Sequence, residues 1–220
     1  MVVSPRDPLP DRRGDEFEPG SDGLVLRNLL GITDPQLADR AEAFLLREAQ
    51  AESFRTFPAD RRFDVELIQA LHRSWLGNLY PFAGEIRTVD LSKGAVRFAP
   101  VPYMEGSLRG LDAVLAEQTP CTGMEREALV RAVARVHGEL VLVHPFREGN
   151  GRIARWVADL MSLQAGYPPL DWGFGGDTDA VRERYFAALR RAFLTDYVPL
   201  EALVAEALDR GEGATTDPPR

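Results

Sequence analysis

A twelve-residue run at positions 144–155, His-Pro-Phe-Arg-Glu-Gly-Asn-Gly-Arg-Ile-Ala-Arg, limits the possible folds of this chain more than any other segment. Apolar residues precede it at spacings of three and four, which predicts one face of a helix that ends near 143. Pro145 disfavours helical geometry at His144, and the Gly-Asn-Gly at 149–151 is a turn signal. Helical spacing returns from Ile153. The run therefore predicts a helix, a tight buried loop and a second helix.

The start of the second helix is a predicted anion-binding site. The first turn of a helix has N–H groups without intrahelical partners and a partial positive charge. Gly149 and Gly151 have no side chains, so a phosphate can approach the backbone closely. Asn150 can cap the helix or donate its amide to a phosphate oxygen. Arg152 and Arg155 share one helix face, and their guanidinium groups suit phosphate oxygens.

Two residues supply further chemistry beside this site. Glu148 offers one carboxylate, which is enough to hold Mg²⁺ together with nucleotide phosphates. His144 can take a proton near neutral pH. Each part alone has an ordinary explanation, since Gly-Asn-Gly is usually only a turn and two arginines are usually a solvated face. Their order within twelve residues favours instead the attack of a hydroxyl on a nucleotide phosphate.

The run resembles the signature of the Fic family, His-x-Phe-x-(Asp/Glu)-Gly-Asn-Gly-Arg-x-x-Arg, and matches it at every fixed position. Residues 79–88 resemble the segment that leads into the family's β-hairpin, called the flap, and residues 92–94 and 97–100 resemble its tip and return strand. Residues 26–34 resemble the start of short Fic toxins. The resemblance covers roughly residues 24–208. It implies an all-α fold, a helical bundle with a small β-hairpin flap over the active site.

The resemblance also implies an activity and a set of roles. The family transfers a nucleotide, usually AMP from ATP, to a protein hydroxyl. The resemblance implies that His144 is the general base for the target Ser, Thr or Tyr and that Glu148 is the Mg²⁺ ligand. It implies an anion hole formed by Gly149, Asn150 and Gly151, and binding of the β- and γ-phosphates by Arg152 and Arg155. It also implies that Phe146 is a core anchor and that the flap residues Lys93 and Gly94 lie over the nucleotide.

Other activities stay open at this point. Members of the Doc type carry Lys at the position of Gly151, and the resemblance links that change to phosphorylation, so Gly151 favours AMP transfer. The alternatives are transfer of another group such as UMP or phosphate, removal of AMP, and a nucleotide-binding interaction domain without turnover.

The resemblance also implies partners. Fic enzymes are commonly inhibited by a helix with the pattern (Ser/Thr)-x-x-x-Glu-(Gly/Asn), whose Glu pairs with the second motif arginine, here Arg155. No Ser or Thr of this sequence has Glu four residues later. We therefore expect a separate small antitoxin to supply the helix, unless the enzyme is not regulated in this way. Short Fic toxins are associated with DNA gyrase and topoisomerase IV, which the resemblance implies as targets.

The composition and the two ends of the sequence predict the domain organisation and exclude some classes of function. We expect a flexible N-terminal arm at 1–22, a Fic domain at 23–209 and a disordered C-terminal tail at 210–220. Residues 1–20 read as neither a signal peptide nor a membrane span, which predicts a cytoplasmic protein without membrane contact. The net charge of −8 argues against direct nucleic-acid binding. The single Cys121 excludes an intrachain disulfide.

The periodicity predicts seven helices and one hairpin. The helices are predicted near 34–52, 64–78, 103–118, 124–143, 151–165, 178–194 and 198–209, and the hairpin near 86–98. Asp34 and Asp64 are predicted N-caps. We expect His72 and His137 to be structural. The family places a late helix that carries Tyr185 near the adenosine, but no role is assigned to that residue.

Overall fold

The computed structural model describes residues 16–93, 96–174 and 178–216. Within these ranges the chain is an all-α bundle with one small hairpin, as predicted. Its elements are α1 (Pro35–Thr56), α2 (Val65–Leu76), β1 (Ser92–Lys93), β2 (Val96–Arg97), a 3₁₀ turn (Val101–Tyr103), α3 (Met104–Gln118), α4 (Arg126–Val143), α5 (Asn150–Gln164), α6 (Thr178–Ala192) and α7 (Val198–Thr216).

Helix α4 lies at the centre of the bundle, where it packs against α3, α5, α6 and α7. The apolar stripe that predicts this helix is its buried face, because Leu129, Val133, Val136, Leu140 and Val143 are all at most 4% exposed. Helix α5 is nearly as enclosed, and it also contacts α1 and α2. The junction between α4 and α5 is therefore held in the core on several sides.

The predicted N-caps fix two helix starts. The Asp34 side chain accepts hydrogen bonds from the N–H groups of Gln36 and Leu37, with Pro35 as the first helical residue. The Asp64 side chain accepts from the Leu67 N–H at 2.7 Å. Both caps are local in sequence, which is why the residue pattern was sufficient to predict them.

The hairpin is shorter than the 86–98 expected from the sequence. Its strands contain two residues each, with Ser92 opposite Arg97 and Lys93 opposite Val96 in antiparallel register. Residues 86–91 form no strand in the described structure. The backbone N–H of Arg87 bonds to the Pro145 carbonyl and its side chain binds neighbouring carbonyls. Among the backbone groups of this segment, only the Leu91 carbonyl bonds across the hairpin within the described residues, to the Phe98 N–H at 3.2 Å. The hairpin tip at 94–95 lies outside the described residues.

The structure also describes part of each predicted terminal segment. Within the arm predicted at 1–22, Phe17 forms a β-bridge with Leu26 and is only 7% exposed. Within the tail predicted at 210–220, helix α7 continues to Thr216 and buries Gly211. Across the described ranges, no helix combines the length and apolar character needed to cross a membrane.

Candidate active site

His144 is the C-cap of α4 and adopts a left-handed backbone conformation, with φ 51° and ψ 57°. Its N–H bonds to the Leu140 carbonyl at 3.0 Å, which ends the helix. A left-handed non-glycine residue is uncommon and costs free energy. The conformation turns the chain sharply into the loop and sets the direction of the imidazole.

The imidazole of His144 is in the tautomer that a general base needs. Its Nδ1 lies 2.9 Å from the Val141 carbonyl oxygen. A carbonyl only accepts, so Nδ1 carries the proton and Nε2 keeps its lone pair. Burial lowers the pKa of His144 to about 4, further lowered by Arg87 and Lys93 and partly offset by Val141 and Glu148. The ring is therefore neutral at pH 7 and able to accept a proton.

The flap covers this base. The Phe98 ring stacks on the His144 ring, with centroids 3.5 Å apart and planes 9° apart. Lys93, at the end of β1, is close enough to His144 to lower its pKa, and its Nζ lies 5.0 Å from the centroid of the Phe186 ring. The structure thus places Lys93 near His144, and its role over the nucleotide stays a prediction. Gly94 lies outside the described residues, so its expected role stays a prediction.

The loop after His144 is closed by Asn150. The Asn150 Oδ1 accepts from the Phe146 N–H at 2.8 Å, and its Nδ2 donates to the Phe146 carbonyl at 2.7 Å. Both side chains are buried, at 2% and 0% exposure. The Asn150 side chain therefore does not cap α5, whose N-cap is Gly149, and instead bonds to the backbone of Phe146. This differs from the expected use of its amide, and only its backbone N–H lies at the anion site.

The first turn of α5 retains donors for an anion. The N–H groups of Arg152 and Ile153 bond to the Gly149 carbonyl. Within the described residues, no backbone carbonyl accepts from the N–H of Asn150 or Gly151. Gly149 has φ 81°, and a Cβ there would lie 2.7 Å from Cζ3 of Trp75. The fold therefore requires glycine at 149, because the backbone is left-handed there and Trp75 leaves no room for a Cβ.

Glu148 lies beside this helix start. One of its carboxylate oxygens accepts from the Gly149 N–H at 2.8 Å and from Arg152 at 3.0 Å. The side chain is 26% exposed, so it reaches the solvent side of the loop. In the described structure no three His, Cys, Asp or Glu side chains group as metal ligands. A single partly exposed carboxylate fits a Mg²⁺ ion that also binds nucleotide phosphates.

Arg152 is held by two carboxylates and an indole ring. Its guanidinium lies 2.6 Å from Glu42 and 3.0 Å from Glu148, and 4.8 Å above the ring of Trp75. Glu42 is completely buried in α1 and also accepts from the Tyr80 hydroxyl. Glu42 could not be predicted from the sequence as part of the site. It is one of several polar residues of its helix and lies 110 positions before its partner, Arg152.

Arg155 has different surroundings. Its guanidinium lies 5.1 Å from the centroid of the Phe174 ring. Burial raises the pKa of the Tyr185 hydroxyl, and the neighbouring charge of Arg155 offsets part of that rise. That hydroxyl lies 2.8 Å from Nε2 of His137, while Nδ1 of His137 lies 3.2 Å from the Ala154 carbonyl. Because the carbonyl fixes the proton on Nδ1, Nε2 accepts from Tyr185. The expected structural role of His137 therefore includes support of Arg155 through Tyr185.

His72 supports the loop from the opposite side. Its Nδ1 accepts from the Gly84 N–H at 2.8 Å, and its Nε2 donates to the Glu148 carbonyl at 3.1 Å. Its ring stacks on Phe146 with centroids 3.9 Å apart. Burial lowers the pKa of His72 to about 4, so the ring stays neutral. His72 therefore has the structural role expected of it, and it plays that role through direct contacts with Phe146 and Glu148 of the loop.

The motif residue Arg147, at a variable position of the signature, also has a partner. Its side chain is 9% exposed and bonds to Glu16 at 2.9 Å. It ties the segment before α1 to the loop and adds no group to the anion site.

The sequence has relatives among known proteins. A sequence profile of the Fic/DOC family matches residues 62–162. A Salmonella typhimurium protein named "Probable protein adenylyltransferase Fic" is 30% identical over 202 residues, which cover 83% of this chain and 99% of that protein. Protein adenylyltransferase VbhT of Bartonella schoenbuchensis is 32% identical over 148 residues, which cover 67% of this chain and 30% of VbhT.

A solved structure shares the fold. The BepC protein of Bartonella tribocorum, crystallised with bound AMPPNP, superposes with a TM-score of 0.70 at 22% identity. The match covers 87% of this chain and 95% of that one. At this identity the likeness shows the fold alone.

Proposed function

Since this chain belongs to the Fic/DOC family, whose named relatives are protein adenylyltransferases, we propose that it transfers AMP from ATP to a Ser, Thr or Tyr hydroxyl of a target protein. One observation carries the proposal. The imidazole of His144 is neutral, with its proton fixed on Nδ1 by Val141, and it sits one loop away from a helix start that retains backbone donors for a phosphate.

The reaction needs little covalent work from the protein. Nε2 of His144 takes the proton of the target hydroxyl while the hydroxyl oxygen forms a bond to the α-phosphorus. The bond from that phosphorus to the leaving pyrophosphate breaks, so the products are the adenylylated protein and pyrophosphate. The protein contributes alignment of the hydroxyl and compensation of the charge on the leaving group.

The charge compensation falls to α5. We assign the backbone N–H groups of Asn150 and Gly151 to a phosphate oxygen, and Arg152 and Arg155 to the outer phosphates. Glu148 is the ligand for Mg²⁺, which supplies further positive charge on the phosphates when bound. Of the two arginines, Arg155 has the less compensated charge, because Arg152 contacts two carboxylates.

The structure supports AMP transfer over phosphoryl transfer at Gly151. A Cβ at this position would lie 3.6 Å from a guanidinium nitrogen of Arg155, so a long side chain there would extend into the space beside that arginine. With glycine, the outer phosphates can occupy that space and leave the α-phosphate next to His144. Phosphorylation and binding without turnover are separate outcomes of the experiment below, and UMP transfer is tested by the same experiment with α-labelled UTP.

The test is label transfer. Purified wild-type protein and His144→Ala are incubated with Mg²⁺, bacterial lysate and ATP labelled on either the α- or the γ-phosphate. We expect protein bands labelled from α-ATP by the wild type only. Labelling from γ-ATP instead would mean phosphorylation. No labelling from either nucleotide, with ATP binding intact, would favour a binding domain without turnover.

We further propose that the chain is the toxin of a toxin–antitoxin pair. The support is the toxin-like opening at 26–34 and the lack of any Ser or Thr followed four residues later by Glu. A small antitoxin would supply an inhibitory helix whose Glu pairs with Arg155. Subunits of DNA gyrase and topoisomerase IV are the first targets to test. Co-expression with the gene neighbour should abolish toxicity, and unchanged toxicity would contradict the pairing.

A further inference from the structure

The carbonyl groups at the end of α4 have a complete set of partners, and most of them come from the flap region. The last carbonyls of a helix lack intrahelical donors and need other partners when they are buried. Here the Leu142 carbonyl accepts from the Ala99 N–H at 3.2 Å, and the Pro145 carbonyl accepts from the Arg87 N–H at 2.8 Å. The Val141 carbonyl lies 2.9 Å from Nδ1 of His144. The carbonyls of Val143 and His144 accept from one side chain, that of Arg87.

The same guanidinium also binds both limbs of the flap, meaning the segments just before and just after the hairpin. It donates to the Val89 carbonyl at 2.6 Å on the way into the hairpin, and to the Ala99 carbonyl at 2.5 Å on the way out. Its Nε donates to the His144 carbonyl at 2.7 Å, and its Nη2 donates to the Val143 carbonyl at 3.4 Å. One planar group thus joins the two limbs of the flap to the backbone of the proposed base.

We propose that Arg87 is a positioning residue that holds the flap at a fixed place over His144. The side chain is 4% exposed and bonds to carbonyl oxygens from three segments of backbone. A cation at the C-terminus of a helix is favoured by the helix dipole, which offsets part of the cost of burying the charge. The proposal rests on the proposed function, because holding the flap matters for catalysis only if the flap aligns a target hydroxyl.

Lysine cannot replace Arg87 in this geometry. The guanidinium is a rigid fork with five donors, whereas an ammonium group is a compact charge with three. In Arg87→Lys, the ammonium can reach one limb of the flap or the end of α4, but it cannot span all three segments. The flap should then move relative to His144, while the α5 helix start, which has no contact with Arg87 in the described structure, keeps its geometry.

The test separates the flap from the nucleotide site. Arg87→Lys is compared with Arg109→Lys, the same substitution at a side chain on α3 that is 70% exposed. We expect Arg87→Lys to bind Mg·ATP within about 2-fold of wild type and to lose on the order of 100-fold in AMP transfer to the target protein, the size of effect that misalignment of about 1 Å produces. Amide hydrogen exchange across 88–99 should accelerate in Arg87→Lys and stay unchanged in Arg109→Lys.

Two results would overturn the proposal. One is unchanged transfer and unchanged flap exchange in Arg87→Lys. The other is a parallel fall of ATP binding, transfer and thermal stability, which would make Arg87 a general folding residue. If the wild type transfers no AMP, the proposed function fails, but flap exchange still tests the attachment. If Arg87→Lys does not fold, the wild type suffices: the Ala99 amide should exchange as slowly as the last turn of α4, and loop-like exchange there would refute the proposal.

Discussion

Two glycines of the motif, Gly149 and Gly151, are separated by one residue. Substitution by alanine should lower the stability of the fold at Gly149, and should raise it or leave it unchanged at Gly151. Gly149 has φ 81°, and a Cβ there would lie 2.7 Å and 2.9 Å from two ring carbons of Trp75. That indole cannot move aside easily, since it is 1% exposed and its Nε1 donates to the Glu42 carbonyl at 2.9 Å. Gly151 lies in α5, and its added Cβ would meet only Arg155, at an ordinary 3.6 Å.

The magnitudes follow from these contacts. In Gly149→Ala, the left-handed backbone costs about 1–2 kcal/mol and the overpacking against Trp75 about 1–3 kcal/mol, so the free energy of unfolding should fall by about 2–5 kcal/mol. In Gly151→Ala, the substitution removes a glycine from the first turn of a helix, so the free energy of unfolding should rise by at most about 1 kcal/mol or stay unchanged.

Urea denaturation followed by circular dichroism measures both variants against wild type. The reasoning requires a clear drop for Gly149→Ala with the slope of the transition unchanged. Equal stability of the two variants, or a larger loss for Gly151→Ala, would refute the account of why the motif has glycine at 149.

Three other substitutions test the support of the two arginines and of the loop. Glu42→Gln should lower the free energy of unfolding by about 3 kcal/mol, because it breaks a buried ion pair with Arg152. Tyr185→Phe should weaken ATP binding several-fold and cost about 1 kcal/mol of stability, because it removes the hydroxyl that bonds to His137 and interacts with the charge of Arg155. For His72, burial lowers the folded pKa to about 4, so its stabilising contribution is present above pH 6.5 and is lost as the pH falls toward 4. Between pH 6.5 and 5, wild type should lose on average about 1 kcal/mol per pH unit relative to His72→Gln.

Matched controls make these outcomes specific. Glu48→Gln, at an exposed position of the same helix as Glu42, and Tyr103→Phe, at a side chain 70% exposed, should each behave as wild type. Unchanged stability of Glu42→Gln would contradict the importance of its ion pair with Arg152. Unchanged ATP affinity of Tyr185→Phe would contradict the support of Arg155. The same pH dependence of stability in wild type and His72→Gln would contradict the burial of a neutral imidazole. Denaturation curves and nucleotide titration measure all of them.

The parts of the fold that depend on neighbouring residues were predictable from the sequence. The N-caps Asp34 and Asp64, the buried stripe of α4 and the break at His144-Pro145 are set within a few positions, and the structure confirms them. The hairpin predicted near 86–98 is shorter in the structure, because the segment before it is held by one side chain, that of Arg87.

The supports of the site depend on distant contacts, which no local pattern reveals. Glu42 meets Arg152 across 110 positions, and His72 meets Glu148 across 76. The amide of Asn150 is the instructive case, because its motif position suggested a ligand contact while the structure uses it to close the loop onto Phe146. A short polar side chain at a helix start can serve either purpose, and only the three-dimensional structure distinguishes them.

The most direct test of the central claim is the mass added to a target protein. A protein labelled by the wild type is isolated after reaction with unlabelled ATP, and its peptides are analysed by mass spectrometry. We predict that one Ser, Thr or Tyr hydroxyl gains the mass of an adenylyl group, and that His144→Ala leaves the same peptide unmodified. A gain of a phosphoryl group, or an adenylyl group that His144→Ala still adds, would contradict the assignment of AMP transfer with His144 as the base.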